Sequence, residues 1–129
     1  KHPCGKWDCA MQPFTILFYH KPDGTEPAKD FLLSLDEKMR AKLLFLLDIL
    51  TDNGPELREP YSKHLGDGIF ELRAKTGTDL SRVLYFFIVG RRIVLTNGFI
   101  KKTAKTPAGE IERAKRYRAE FLGRKKGNE

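Results

Sequence analysis

Phe70-Glu71-Leu72-Arg73-Ala74-Lys75 decides the fold. Apolar and polar residues alternate there with a period of two, the mark of a strand with one buried face. The next apolar run, Val83-Leu84-Tyr85-Phe86-Phe87-Ile88-Val89, shows no such alternation. It reads as a central strand covered on much of both faces. Residues 76–80 turn between the two, and Gly90-Arg91-Arg92 makes a tight connection into a third strand at 93–99. Three consecutive strands with short connections form an antiparallel meander.

Upstream, Phe14-Thr15-Ile16-Leu17-Phe18-Tyr19 reads as a first strand, ended by Lys21-Pro22-Asp23-Gly24. Pro27 suits the first position of a short helix reaching about Leu35, with Phe31, Leu32 and Leu35 inward. Asp36 is placed to cap a second helix. Met39, Leu43, Leu46, Leu47 and Leu50 recur at three- and four-residue steps, so these side chains are core. Asn53-Gly54-Pro55 stops that helix, because Gly takes the left-handed position and Pro cannot continue. Residues 56–68 read as a polar linker carrying Tyr61-Ser62-Lys63-His64-Leu65. Thr106-Pro107 opens a last helix, with Thr106 as cap, Pro107 in the first turn and Ile111, Ala114, Tyr117 and Phe121 buried. Gly123 is expected to end it.

The order is β-α-α-β-β-β-α. It predicts an α+β domain at 11–124 with an antiparallel four-stranded sheet. Two N-terminal helices pack on one face, the other face stays open, and a C-terminal helix follows. Residues 1–10 read as an extension ahead of Met11, and 125–129 as a flexible basic tail.

Charge is unevenly distributed. Residues 1–60 carry a balance of −2 and residues 61–129 a balance of +9. A positive field confined to one half points to a polyanionic partner. Cys4 and Cys9 have no neighbouring metal-ligand pattern and make no disulfide framework. No apolar run approaches the ~20 residues that span a membrane. The expected setting is reducing and cytoplasmic, without membrane. Gly-rich phosphate loops, paired-His motifs, nucleophile elbows and carboxylate clusters are missing from the sequence, so no metal or cofactor is expected.

What remains is basic residues on strands and at their ends. Arg73 lies on the polar side of its strand, Arg82 starts the central strand, and Lys101 and Lys102 follow the last one. Lys63 and His64 precede the meander. Arg offers a planar fork for phosphate oxygens, and Lys a proton that neighbouring cations make easier to release. Such a set can cleave RNA without metal. A 2′-OH attacks its own phosphate, cations meet the growing charge, and an acid protonates the leaving 5′-oxygen. The plainer reading makes Glu71 and Arg73 an ion pair on one strand face and His64 a surface side chain.

Phe70-Glu71-Leu72-Arg73, Arg82-Val83-Leu84-Tyr85, Phe99-Ile100-Lys101-Lys102-Thr103 and Thr106-Pro107 with Glu110-Ile111-Glu112-Arg113-Ala114 together resemble the RelE/ParE toxin superfamily. The resemblance covers about residues 14–122. Tyr61-Ser62-Lys63-His64-Leu65 fits its phage-derived HigB-like branch. The resemblance implies a RelE-like fold and an mRNA endonuclease acting in the A site of the 70S ribosome. It also implies neutralisation by a cognate helix-turn-helix antitoxin of the HigA kind, in a hetero-oligomer that represses its own operon. The family's basic positions carry over onto Arg73, Arg82 and Lys102, with Lys101 the close alternative. Lys63, His64, Lys75, Arg92 and Lys105 are candidates for RNA contact. RelE-type toxins often have a second basic residue where this chain has Glu71. Pro107 falls near the place of their base-stacking aromatic, leaving Tyr85 and Phe99 as candidates. Arg82→Ala is expected to remove activity with the fold nearly unchanged. The alternatives are a ParE-like toxin that poisons DNA gyrase and cuts nothing, and an RNA-binding module without activity.

Overall fold

The computed structural model of the chain describes residues 13–100 and 105–127. The expected extension at 1–10 and the candidate lysines Lys101 and Lys102 lie outside the described residues. In chain order the described elements are β1 (Thr15–Phe18), α1 (Pro27–Ser34), α2 (Glu37–Asn53), a 3-10 turn at Gly54–Glu56, β2 (Ser62–Gly66), β3 (Ile69–Thr76), β4 (Asp79–Ile88), β5 (Arg92–Ile100) and α3 (Ala108–Gly127).

The class is α+β as expected, but the sheet is five-stranded and mixed, in the order β1-β5-β4-β3-β2. The meander β3-β4-β5 is antiparallel. β1 pairs in parallel with β5, Thr15 opposite Arg92 through Phe18 opposite Leu95. The expected polar linker contains β2, an edge strand antiparallel to β3. An edge strand needs few apolar side chains, because solvent can satisfy its outer backbone groups.

α1 and α2 pack on one face of the sheet. The α2 stripe of Met39, Leu43, Leu46, Leu47 and Leu50 is buried there with Leu72, Ala74, Val83, Tyr85, Ile93 and Leu95. Each of the Leu, Ile, Val and Met side chains contributes about 1.5–3 kcal/mol of apolar burial. Asp36 caps α2 by accepting the Met39 N–H at 2.8 Å. Gly54 ends it with φ +56°, and the Phe14 ring lies where a Cβ would stand, its nearest carbon 2.3 Å away.

The second face is not open. Ala114 of α3 is buried over Ile69, Leu84, Phe86 and Val94, with Tyr117 and Phe121 packed beside it. Polar ties hold both ends of this helix. Asn97 Nδ2 donates to the Glu110 carboxylate at 3.0 Å, and Tyr19 Oη donates to Glu120 at 2.9 Å. Burial, and then the Glu120 hydrogen bond, pushes the Tyr19 phenol up to about 12. Gly123 does not end α3, which continues to Gly127. An exposed glycine inside a helix costs only about 1 kcal/mol. Polar residues collect at the Arg73 end of this face, beside the approach to α3.

Candidate functional site

Period two puts Glu71 and Arg73 of β3 on the α3 side of the sheet. Register puts Arg82 of β4 directly opposite Arg73, and Phe99 of β5 directly opposite Arg82. The β5 ladder slips between Leu84 and Tyr85, so Leu95 faces Tyr85 while Asn97 faces Leu84. Thr96 is the extra residue, and its hydroxyl donates to the Leu84 carbonyl at 3.1 Å. The bulge turns Asn97 and Phe99 to the Arg82 side.

Glu71 is the hub. Its Oε1 lies 3.3 Å from Arg73 Nε, and its Oε2 lies 3.2 Å from Arg82 Nε. Thr106 Oγ1 donates to the same Oε2 at 2.8 Å. Glu71 and Arg82 are fully buried, whereas the Arg73 side chain is 20% exposed. Burial holds the Arg82 guanidinium below its usual pKa, and the Glu71 charge works the other way. The Arg82 guanidinium also lies 6.0 Å from the Phe99 ring centroid.

Beside this cluster runs a groove of about 480 Å³. Its walls are Lys63, His64 and Leu65 from β2, Arg73 from β3, Lys105 and Thr106 ahead of α3, and Ile111 on that helix. His64 Nε2 accepts the Gly68 N–H at 3.2 Å, and its ring stacks on Phe70 at 4.6 Å. Four of the expected residues therefore converge: Arg73, Lys63, His64 and Lys105. Arg82 joins them from beneath the surface. The buried Glu71–Arg82 pair changes what Arg82→Ala is expected to do: it strips a buried carboxylate of a buried partner, so the fold should be weakened as well.

Two candidates lie elsewhere. Arg92 sits at the opposite end of β5, where its Nε donates to the Val89 carbonyl at 3.0 Å in the β4–β5 turn. Lys75 lines a second cavity, of about 350 Å³, with Lys42, Leu46, Leu80 and Arg73, which borders both this cavity and the groove. Tyr85 cannot stack a base. It is buried under the helices, and its Oη lies 2.5 Å from Ser62 Oγ. Burial pushes its phenol up to about 12, and the Ser62 contact works the other way. Thr106, expected as a helix cap, instead donates to Glu71, and α3 starts at Ala108. Sequence reasoning missed Glu71 as the organising residue, along with Leu65, Thr106 and Ile111. The one signal was an acidic side chain two positions before Arg73 on the same strand face.

Residues 30–119, more than half of the chain, match the family model described as Phage derived protein Gp49-like (DUF891). The chain belongs to the Gp49-like family. This family is associated with toxins of toxin–antitoxin systems. The Gp49-like match runs from within α1 through the first half of α3, and so includes the Glu71 cluster and the groove. A search among curated proteins found no match. Among the described residues of this Gp49-like protein, no helix is long and apolar enough to cross a membrane.

Proposed function

We propose that this Gp49-like protein is the RNA-cleaving toxin of a HigB-like pair, acting without metal on mRNA held in the ribosomal A site. The observation that carries this is the convergence of Arg73, Lys63, Lys105 and His64 on one groove, from β2, β3 and the approach to α3. A set of cations on one wall suits a phosphodiester backbone.

In this reading the scissile phosphate lies against Arg73. The 2′-OH oxygen bonds to phosphorus as a base takes its proton, and the bond from phosphorus to the 5′-oxygen breaks. The departing oxygen takes a proton from an acid. The products are a 2′,3′-cyclic phosphate and a 5′-hydroxyl. Arg73, Lys63 and Lys105 meet the charge that grows on the phosphoryl oxygens. Glu71 orients Arg73 and neutralises part of the two-guanidinium charge, so Arg82 is a positioning residue. Lys102, or its neighbour Lys101, is the candidate for a further cation or proton donor. The proposed partners are the 70S ribosome with its mRNA and a helix-turn-helix antitoxin of the HigA kind.

The test is induction of the chain in cells, with mapping of mRNA 5′ ends. Wild type should create new ends within codons. Arg73→Ala should lower cleavage about 10²–10³-fold, the usual loss for one charge-stabilising donor. Intact mRNA under wild-type induction overturns the proposal. Intact mRNA with linearised DNA points instead to a gyrase poison of the ParE kind.

A further inference from the structure

The outer face of α2 carries apolar side chains where a surface helix is ordinarily polar. Phe45 is 62% exposed, and Leu44 beside it is 46% exposed. Ala41, one turn before Phe45, is exposed as well. These positions lie on the face turned away from the sheet, apart from the buried stripe of Met39, Leu43, Leu46, Leu47 and Leu50. A contiguous exposed apolar patch marks a contact surface.

The charges on this face are arranged symmetrically about Phe45. Lys38 stands seven residues before it and Asp52 seven after; Lys42 stands three before and Asp48 three after. All four are exposed. Steps of three, four and seven return to nearly the same side of a helix, so the four share the face with Phe45. This order does nothing for a single copy. A helix favours acids near its N-terminus and bases near its C-terminus, and, Glu37 aside, α2 has the reverse. Lys38 and Lys42, and likewise Asp48 and Asp52, are like charges four residues apart, which repel along a helix. Among the described residues none of the four makes an ion pair within the chain. Arg40, the other base of α2, is occupied beyond the end of α1, where its Nη2 donates to the Leu35 carbonyl at 2.6 Å.

A second copy laid antiparallel supplies what one copy lacks. With the two Phe45 rings at the centre, the basic half of each helix lies along the acidic half of the other. Contacts across a two-fold axis are reciprocal, so a surface that meets itself must be complementary about its own centre. This face has that property: Lys38 meets Asp52 of the second copy, and Asp52 meets its Lys38. A partner of different sequence would not require it. The half of the chain that supplies α2 has a charge balance of −2, so two basic molecules can meet there without opposing positive fields.

We propose that the exposed face of α2 is a self-complementary, antiparallel contact between two copies of this chain, centred on Phe45. No residue lining the Arg73 groove belongs to α2, so both grooves stay open in the pair. The contact and the nuclease reading therefore stand or fall separately. A helix of 17 residues is about 25 Å long, and one face of it offers less than the ~1,600 Å² of a standard stable interface. The pair is accordingly weak, half formed at a chain concentration on the order of 100 µM.

The test is sedimentation equilibrium of the purified full chain over a concentration series. Wild type should pass from monomer to dimer as concentration rises, with no larger species. Phe45→Ser should weaken association about tenfold or more, as expected for a central aromatic anchor. The double variant Lys38→Glu, Lys42→Glu should be monomeric, and so should Asp48→Lys, Asp52→Lys, because each then presents one sign along the whole face. An equal mixture of the two doubles should form a heterodimer. The quadruple variant with all four changes exchanges the two ends, restores complementarity and should dimerise again. All these positions are exposed, so each variant should keep the wild-type far-ultraviolet spectrum. A wild type that stays monomeric at every concentration overturns the inference. A dimer that survives Phe45→Ser does the same, because it then forms through another face. So does the absence of association both in the quadruple variant and in the mixture of doubles.

Discussion

Glu71 sets what its two arginine neighbours do. It accepts from Thr106 and faces Arg73 and Arg82 from one carboxylate, with Arg82 wholly out of solvent. A buried pair of this kind contributes little net stability against a well-packed apolar replacement, yet losing one partner is expensive. Arg82→Ala and Glu71→Gln should therefore each lower the unfolding free energy by about 3–5 kcal/mol. The triple replacement Glu71→Leu, Arg82→Met, Thr106→Val removes both fully buried charges and the Thr106 donor together, leaves only the partly exposed Arg73, and should recover most of that loss. Urea denaturation of the single and triple variants measures it. Single variants within about 1 kcal/mol of wild type would mean that the cluster tolerates an unpaired charge. The triple variant should still be inactive, because Arg73 then has nothing to orient it. Loss of toxicity in Arg82→Ala alone is consequently no evidence of a phosphate contact.

β5 carries the connection between core and site. On one side Gly98 admits the Phe31 ring of α1, whose nearest carbon is 2.3 Å from where a Cβ would stand. On the other, the bulge at Thr96 delivers Phe99 to Arg82. Gly98→Ala should push Phe31 out and cost about 1–3 kcal/mol, the range for overpacking. A lowered melting temperature with a normal far-ultraviolet spectrum is the expected result, and an unchanged one would show that Phe31 swings aside freely. The ease of reading each element follows from the same physics. The α2 stripe and the β3 alternation were plain in sequence, because one buried face imposes its period on the residues. Asp36 and Gly54 were plain because caps obey local rules. β2 reads as a linker, since Ser62-Lys63-His64-Leu65-Gly66 at a sheet edge has no apolar face to advertise. The parallel pairing of β1 was hidden because a strand's residues do not name its neighbour. The stripe of α3 is legible in sequence, but not the sheet face that it covers. That Arg73 and Arg82 share a face followed from period two. That Arg82 is buried did not, because Thr106, one of its covering partners around Glu71, comes from 24 residues further along the chain.

The sheet separates two electrostatic halves. The −2 half supplies β1, α1 and α2, and the +9 half supplies β2 to β5 and α3 with the groove. A polyanion should therefore approach from the α3 side, and its affinity should be governed by counterion release. For a single strand, each neutralised phosphate contributes about 0.7 to the slope of log affinity against log salt. Lys63, Arg73 and Lys105 line the groove, so replacing each by Gln should lower that slope by about 0.7 and weaken all RNA sequences alike. Lys38, exposed on α2 across the sheet, is the control, and Lys38→Gln should leave the slope unchanged. Titrations of one 2′-O-methylated RNA at several salt concentrations decide the matter. If Lys38→Gln flattens the slope as much as Lys63→Gln does, the attraction belongs to net charge alone. The groove would then have no privileged contact with phosphate.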